Sequence, residues 1–148
     1  CALPIFNFND IRKILPHKYP FLLVDQVLCM EKGKAAVGIK NIVYDDPYIE
    51  YDLEENQFYP FELMIESLGQ LTAILYSFSN NNKYEFVLGS IKGIHVFKKV
   101  QVNSQIQLKV KIDHISDTYA IASGTVLDED GVVILEADEL ICKINIIK

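Results

Sequence analysis

The chain has 148 residues, of which 50% are hydrophobic and 23% charged; this is typical of one folded domain and excludes a disordered or low-complexity segment. Its formal net charge of −6 argues against nucleic-acid binding, which usually needs a basic surface. The three cysteines are an odd number without metal-ligand spacing, so they indicate a reducing, cytoplasmic environment rather than a disulfide framework or a metal centre. No linker or internal repeat divides the chain, and we therefore treat residues 1–148 as a single domain.

Turn and capping signals define the first predicted elements. Residues 8–15 are predicted to form a short helix, because Asn7 is a favourable N-cap and Pro16 ends the pattern. A Glu-Lys-Gly-Lys hairpin turn follows, in which Gly33 tolerates the positive φ that such turns need. This turn joins two predicted strands, at residues 22–30 and 35–43. A predicted loop follows them at residues 45–59.

A long apolar stretch at residues 60–78 is predicted to be a helix, with Pro60 in its first turn, where the missing N–H would be unpaired in any case. Glu62, Glu66 and Gln70 recur at every fourth position, so they form one polar stripe on an otherwise apolar helix. Carboxylates are costly in lipid, and the stripe therefore argues against a membrane-spanning helix or a membrane partner.

The rest of the chain is rich in β-forming residues and begins after a loop-like segment at residues 80–83. Four strands are predicted, at residues 84–97, 104–114, 119–127 and 132–147. An Asp-Glu-Asp-Gly turn at residues 128–131 joins the last two. Two strands, one apolar helix and about four further strands predict an α+β fold in which an antiparallel sheet packs around a single helix.

Glu66 is the first candidate for chemistry, because it lies in the middle of the apolar helix. A buried carboxylate must be paired, hydrogen-bonded or protonated, and a raised pKa would make it a general acid. The alternative is that the stripe of Glu62, Glu66 and Gln70 is the solvent-facing side of the helix. The pattern alone leaves both interpretations open.

The acidic loop at residues 50–55 is the second candidate. Carboxylates before a helix can simply be stabilised by the helix dipole, or one of them can face the helix carboxylate as an acid/base pair. Spacing does not decide between these two interpretations. The sequence contains no glycine-rich phosphate loop, nucleophile elbow or zinc-protease motif, and we expect neither a cofactor nor a metal.

Residues 14–25, with the sequence ILPHKYPFLLVD, resemble the opening signature of the FabZ-type (3R)-hydroxyacyl-acyl-carrier-protein dehydratases. The resemblance spans nearly the whole chain and continues through residues 38–41, Asp46-Pro47, Glu66, Gln70, residues 91–99 and residues 136–144. It implies a hotdog fold, in which a curved antiparallel sheet wraps around one long central helix. It also implies fatty-acid or polyketide-type biosynthesis and a homodimer, or a heterodimer with a related hotdog subunit; in the family such dimers often assemble as a trimer of dimers.

The resemblance assigns a catalytic pair as well. In that family a loop histidine removes the α-proton and a helix glutamate of the other subunit protonates the departing hydroxyl. Glu66 matches the glutamate, whereas Asp52 occupies the position of the histidine. Asp52 and Glu66 are therefore the predicted catalytic residues. An aspartate is the weaker base, since its reference pKa is about 3.9 against about 6.5 for histidine.

Four substrate-binding positions follow from the same resemblance: Phe61, Gln70, Tyr59 and His17. The backbone N–H of Phe61 matches one that holds the thioester carbonyl in the family, and His17 falls near the mouth of the family's acyl tunnel, where its counterpart is not the base. Lys98 and Lys99 match a basic pair and are predicted to dock the acidic acyl carrier protein, with Lys92, Arg12 and Lys18 as further candidates.

Three functions remain open at this point. The first is an acyl-carrier-protein dehydratase in which Asp52 is the base and Glu66 the acid. The second is a non-catalytic hotdog subunit that partners an active dehydratase or holds acyl chains; the loop has lost both glycines, the proline and the histidine of the family motif, which favours this reading over a single tolerated replacement. The third is an acyl thioesterase on the same fold, in which Glu66 or Asp52 activates water.

Overall fold

The structure is a computed structural model that describes residues 5–80 and 84–146. The two helices are α1, Phe8–Ile14, and α2, Phe61–Ser79. The strands within the described residues are β1 Gln26–Glu31, β2 Ala35–Ile42, β3 Glu50–Tyr51, β4 Gln57–Tyr59, β5 Tyr84–Val96, β6 Val100–Gln101, β7 Ser104–Ile115, β8 Tyr119–Leu127 and β9 Val133–Ile146. Residue 1, most of the predicted loop at 80–83 and the last residue of the predicted strand 132–147 lie outside the described residues.

The main sheet has six strands in the order β1-β2-β7-β8-β9-β5, and every neighbouring pair is antiparallel. Helix α2 packs against this sheet and is buried along most of its length. The predicted α+β arrangement, an antiparallel sheet around one central helix, is confirmed. Within the described residues, no helix is long and apolar enough to cross a lipid bilayer.

Close contact between α2 and the sheet depends on glycine. A Cβ atom added to Gly124 of β8 would lie 2.8 Å from Cδ1 of Leu68, which is fully buried on α2. One added to Gly69 of α2 would lie 3.3 Å from Cδ2 of Leu88 on β5. These close approaches let the middle of α2 pack directly against β8 and β5.

Strand β5 is an edge of the main sheet, since β9 is its neighbour in the strand order among the described residues. A bulge between Leu88 and Ser90 interrupts its register with β9. Its outer side carries exposed apolar residues, including Val87 and Ile91, which are 56% and 36% exposed. A long apolar edge strand is a surface that natural proteins usually cover or pair.

Helix α1 begins where the capping signal predicted. The Asn7 side chain accepts a hydrogen bond from Asp10 N, and the Asp10 carboxylate accepts one from Asn7 N, both at 3.0 Å. This reciprocal capping box satisfies two backbone N–H groups that the first turn leaves unpaired. The helix ends at Ile14, with Leu15 as its C-cap, because Pro16 disfavours a helical conformation of the preceding residue.

Apart from shifts of one residue at several strand ends and at the end of α1, the structure differs from the prediction in three places. Strand β1 begins at Gln26 rather than at residue 22, because the N–H of Leu23 donates to the Gln70 side chain instead of to a neighbouring strand. The predicted loop 45–59 contains β3 and β4, which form a small second sheet with β6. Helix α2 begins at Phe61, and Pro60 is its N-cap rather than part of its first turn.

Candidate active site

The polar stripe of α2 runs from solvent into the core. Glu62 is exposed, Glu66 is half-buried and Gln70 is only 2% exposed. The interpretation of the whole stripe as a solvent-facing side is therefore wrong, since Gln70 lies in the interior. Glu66 occupies the boundary, where a carboxylate is partly desolvated and still accessible.

Gln70 holds the segment that precedes β1. Its Nε2 donates to the carbonyl oxygen of Phe21 at 2.8 Å, and its Oε1 accepts from the N–H of Leu23 at 2.8 Å. Both ends of the amide are thus used by backbone groups 47 and 49 residues away in sequence. The predicted role of Gln70 in substrate binding stays a prediction, while its contacts make it the residue that positions this segment over α2.

His17 lies in the same segment and is brought to Glu66. Its Nε2 is 3.8 Å from Oε1 of Glu66, and the two side chains are 21% and 25% exposed. The ring of Phe21 lies beside the imidazole, with the two ring centroids 5.9 Å apart. Because Gln70 is one helical turn beyond Glu66, its hydrogen bonds to Phe21 and Leu23 fix the segment that follows His17 close to that carboxyl.

Burial shifts the pKa values of both groups in the direction that favours their neutral forms. Burial raises the pKa of Glu66, and a hydrogen bond from the Gln70 side chain opposes part of that increase. Burial also lowers the pKa of His17. Its Nδ1 is buried and has no hydrogen-bond partner among the described residues, which further disfavours an imidazolium, since both ring nitrogens must then donate.

A small cavity adjoins this pair between α2 and β5. Its volume is about 100 Å³, and its lining includes His17, Glu66, Gly69, Ala73 and Leu88. Sites for whole small-molecule ligands usually measure about 300–1,000 Å³. The cavity in one chain can therefore enclose only a few non-hydrogen atoms of a ligand.

A larger cavity of about 540 Å³ lies on the other side of His17. Arg12 of α1 and Lys18 line it, together with Phe8 and the 83%-exposed Tyr19. His17 is therefore shared by a small, partly apolar cavity and a wider one with two cations. The sequence placed His17 near a tunnel mouth by resemblance, and it did not indicate contact with Glu66, because 48 residues separate the two positions.

The carboxylate of Asp52 accepts hydrogen bonds from within its own turn. Its Oδ1 accepts from Glu54 N and Asn56 N, each at 2.9 Å, and its Oδ2 accepts from Nδ2 of Asn56 at 3.0 Å. The hydrogen bonds from Asn56 hold the pKa of Asp52 below its usual range, which makes it a weaker base. Among the contacts recorded in the described part of the chain, none joins Asp52 to Glu66. Its role as a base stays a prediction.

Tyr59 and Phe61 flank the start of α2, and neither is among the described residues that line the cavity beside Glu66. Tyr59 is 2% exposed; burial raises its pKa, and the nearby carboxylates of Asp46 and Asp25 add to the increase. Phe61 is 42% exposed at the first position of the helix. Their predicted substrate-binding roles stay predictions.

A buried ionic cluster explains part of the sequence signature. Lys40 is 8% exposed and its Nζ lies 3.9 Å from Asp25 Oδ2 and 3.8 Å from Asp46 Oδ2. Asp25 also accepts from Asn41 N at 2.7 Å, and Asp46 accepts from Tyr48 N at 2.9 Å. These contacts organise the chain where it leaves β2, so these signature residues have a structural role.

The two predicted docking lysines already have partners within the chain. Lys98 Nζ forms an ion pair and hydrogen bond with Asp128 Oδ2. Lys99 Nζ lies 4.4 Å from the centroid of the Phe58 ring, within the range of a cation–π contact. Both line a surface cavity with Glu129, which lowers the local positive charge. Docking of a carrier protein at these lysines stays a prediction.

Comparisons with known proteins agree on one family. A model described as a FabA-like domain matches residues 15–138. The 3-hydroxyacyl-[acyl-carrier-protein] dehydratase FabZ of Caldanaerobacter subterraneus is 43% identical over 119 residues, which cover 78% of this chain and 83% of the relative. The FabZ of Bacillus cytotoxicus is 36% identical over 137 residues, covering 90% of this chain and 93% of the relative.

Solved structures with a similar fold include enzymes of two kinds. The dehydratase heterocomplex ApeI:P from Xenorhabdus doucetiae matches with a TM-score of 0.75 and 14% identity, over 97% of this chain and 91% of that one. A mutant thioesterase from Pseudomonas aeruginosa matches with a TM-score of 0.71 and 8% identity, over 97% and 96% of the two chains. At these identities the matches show the fold alone.

Proposed function

The chain belongs to the FabA-like family and, within it, to the FabZ-type hotdog dehydratases, and from this premise we propose that it dehydrates 3-hydroxyacyl groups carried on an acyl carrier protein, in fatty-acid or polyketide-type biosynthesis. The observation that carries the proposal is Glu66. It is a half-buried carboxyl on the central helix, its pKa is raised by burial, and it faces a cavity. It also stands at the position that the resemblance assigns to the family's acid.

Dehydration needs a proton donor for the departing hydroxyl and a base for the α-proton. A raised pKa keeps a larger fraction of Glu66 protonated near neutral pH, which suits the donor role. Partial burial also strengthens its interaction with charge that develops on the leaving oxygen. The base is the less defined partner, because the family's loop histidine is replaced by Asp52, whose turn contacts lower its pKa.

A second candidate function, a non-catalytic subunit beside an active dehydratase, is favoured by one observation. Both carboxylate oxygens of Asp52 accept hydrogen bonds within its own turn, so this residue serves the loop rather than presenting a free base. Under this alternative Glu66 would be retained without turnover, and a related hotdog subunit with an intact loop would supply the chemistry.

The first prediction is that the purified chain converts a 3-hydroxyacyl-acyl carrier protein to the enoyl form, detected as loss of one water by mass spectrometry of the carrier. A parallel assay with a saturated acyl-acyl carrier protein, read as free thiol, is expected to stay at the uncatalysed rate. Thiol release without enoyl formation would assign the chain to the thioesterases. Enoyl formation only after addition of a partner dehydratase would support the non-catalytic alternative.

A second copy of the chain, or a related hotdog subunit, is proposed to pair along β5. This strand is 13 residues long, lies at the sheet edge and exposes Val87 and Ile91. The cavity beside Glu66 opens at the same strand and is too small in one chain for an acyl group with its pantetheine arm. A partner on this edge would extend both the sheet and the cavity.

The second prediction tests that edge. Ile91→Lys is expected to shift the chain from dimer to monomer in analytical ultracentrifugation, because it places a charge on an apolar edge strand that has to pair. Ile115→Lys is the matched control, since Ile115 is 45% exposed at the end of β7, an interior strand of the sheet. A dimer that survives Ile91→Lys would contradict pairing through β5.

The carrier protein is the other proposed partner. Besides Lys98 and Lys99, Arg12 and Lys18 offer positive charge, and these two line the wider cavity that borders His17. An acidic carrier docked there would deliver its acyl group close to the small cavity beside Glu66. The cytoplasmic location expected from the sequence is consistent with a substrate held on such a carrier.

A further inference from the structure

We propose that His17 is the general base of this site and forms, with Glu66 of the same chain, a complete acid/base pair that acts on the 3-hydroxyacyl thioester. This inference rests on the proposed function, because it names the group that performs half of that reaction. The carrying observation is the juxtaposition of the two side chains, with His17 Nε2 3.8 Å from Glu66 Oε1, on the wall of one cavity.

The position of His17 is built rather than accidental. The amide of Gln70 holds Phe21 and Leu23 through two hydrogen bonds of 2.8 Å, and Lys18 O accepts from Phe21 N at 2.7 Å. The segment from residue 18 to residue 23 is therefore anchored to α2 at a point one turn from Glu66. Since His17 and Glu66 line the same cavity with Nε2 and Oε1 3.8 Å apart, both groups can reach neighbouring carbons of an acyl group that enters beside them.

The surroundings of His17 favour a neutral imidazole before the reaction. Burial lowers the pKa of His17, and Arg12 from α1 and Lys18 from its own loop line the wider cavity with it. From α2, Glu66 faces it, and burial, with a smaller contribution from the charge of Glu66, raises the pKa of the Cys142 thiol on β9 to about 12. In the described chain, β5 contributes only apolar side chains to the small cavity.

The chemical step balances with these two groups alone. His17 Nε2 takes the proton from the α-carbon, and the electron pair of that C–H bond becomes the second bond between the α- and β-carbons. The bond from the β-carbon to oxygen breaks, and the hydroxyl leaves as water after receiving the proton of Glu66. The resulting carboxylate stabilises the imidazolium 3.8 Å away, and return of the proton from His17 to Glu66 restores the pair.

His17 is better placed than Asp52 within one chain. Asp52 accepts three hydrogen bonds inside its turn, which lower its pKa and leave it a poor base. The pKa of His17 is also lowered, by burial, but it starts from a reference value of about 6.5 against about 3.9 for aspartate. A histidine that replaces the missing loop histidine from another segment would also explain how a dehydratase could retain activity with an altered loop.

The test is His17→Gln in the full chain, assayed with 3-hydroxyacyl-acyl carrier protein. We expect kcat/KM to fall by at least about a hundredfold, in line with the loss of a general base, and the acidic limb of the pH–rate profile to disappear from the residual activity. His114→Gln is the matched control, because His114 is exposed on β7, where its ring centroid lies 5.6 Å from that of Tyr119, outside the site. This control is expected to keep wild-type activity.

Chemical rescue distinguishes a catalytic role of His17 from a purely structural one. In His17→Gly, added imidazole is expected to restore part of the rate, which it could not do if the side chain only supported the loop. Wild-type activity in His17→Gln would overturn the proposal and leave the dehydratase function standing. If Asp52→Asn lost activity in the same assay, the base would be Asp52 instead.

A measurement without turnover separates this inference from the proposed function. Histidine NMR titration of the wild-type chain and of Glu66→Gln is expected to show a lower His17 pKa in the variant, because a carboxylate 3.8 Å away favours the imidazolium. An unchanged His17 titration would overturn the pair. A wild-type chain with coupled titration but no enoyl formation would overturn the dehydratase function and, with it, the catalytic role of His17.

Discussion

Glu66→Gln is expected to lower kcat/KM for dehydration by about 10²–10⁴-fold, the usual contribution of one general acid. Glutamine preserves the size and much of the polarity of the side chain, but it has no acidic proton to give to the departing hydroxyl. The measurement is the initial rate of enoyl formation from a 3-hydroxyacyl-acyl carrier protein. Glu62→Gln, one turn earlier on α2 and exposed, is the matched control and is expected to keep wild-type activity.

Stability measurements should show that this loss is not unfolding. The folded-state pKa of Glu66 is raised above its ordinary value, so ionisation with rising pH costs folded-state stability. Below the ordinary pKa the carboxyl is protonated in both states and that cost is absent. Glu66→Gln is therefore expected to match the wild type in thermal unfolding near pH 4 and to exceed it near pH 8. A variant that keeps full activity would contradict the assignment of Glu66 as the acid.

Gln70→Met is expected to give the largest loss of stability among single polar substitutions at this site. It leaves the buried N–H of Leu23 without its acceptor, at a cost of about 1–3 kcal/mol, and removes the donor of the partly buried Phe21 carbonyl. The free energy of unfolding, measured in urea, should fall by about 1–3 kcal/mol or more. Activity should fall as well, because the segment that carries His17 loses its anchor on α2.

The control for this change is Gln105→Met, since Gln105 is exposed and its Nε2 donates to Asn41 Oδ1 at 2.9 Å on the surface. An exposed hydrogen bond can be replaced by one to water, so little change is expected. If Gln70→Met were as stable as Gln105→Met, the two buried hydrogen bonds would not hold the segment as the structure indicates.

Local signals predicted most of the secondary structure. The capping residue Asn7 placed the start of α1, and the apolar run with its polar stripe placed α2 within one residue at each end. Strand β8 has the predicted bounds, because its alternating burial follows directly from the side-chain period of a strand. These features depend on neighbours within a few residues, which is why they can be seen in the sequence.

Non-local contacts account for the differences. The short strands β3, β4 and β6 have too few residues for a periodic signal and exist because they pair with one another across the chain. The late start of β1 has the same origin, since a side chain on α2 takes the hydrogen bond that would otherwise extend the strand. No local pattern in residues 22–25 could have indicated this.

The sequence by itself determined an α+β fold with one apolar helix, a polar stripe on that helix and membership of a dehydratase family, and the resemblance to that family predicts that Asp52 stands in place of a loop histidine. The periodicity of side chains and a long signature motif suffice for these conclusions. Only the tertiary structure decided that Asp52 is committed to its own turn and that His17 lies beside Glu66. Both depend on where hydrogen bonds are made, and the second depends on Gln70, which joins segments that the chain keeps far apart.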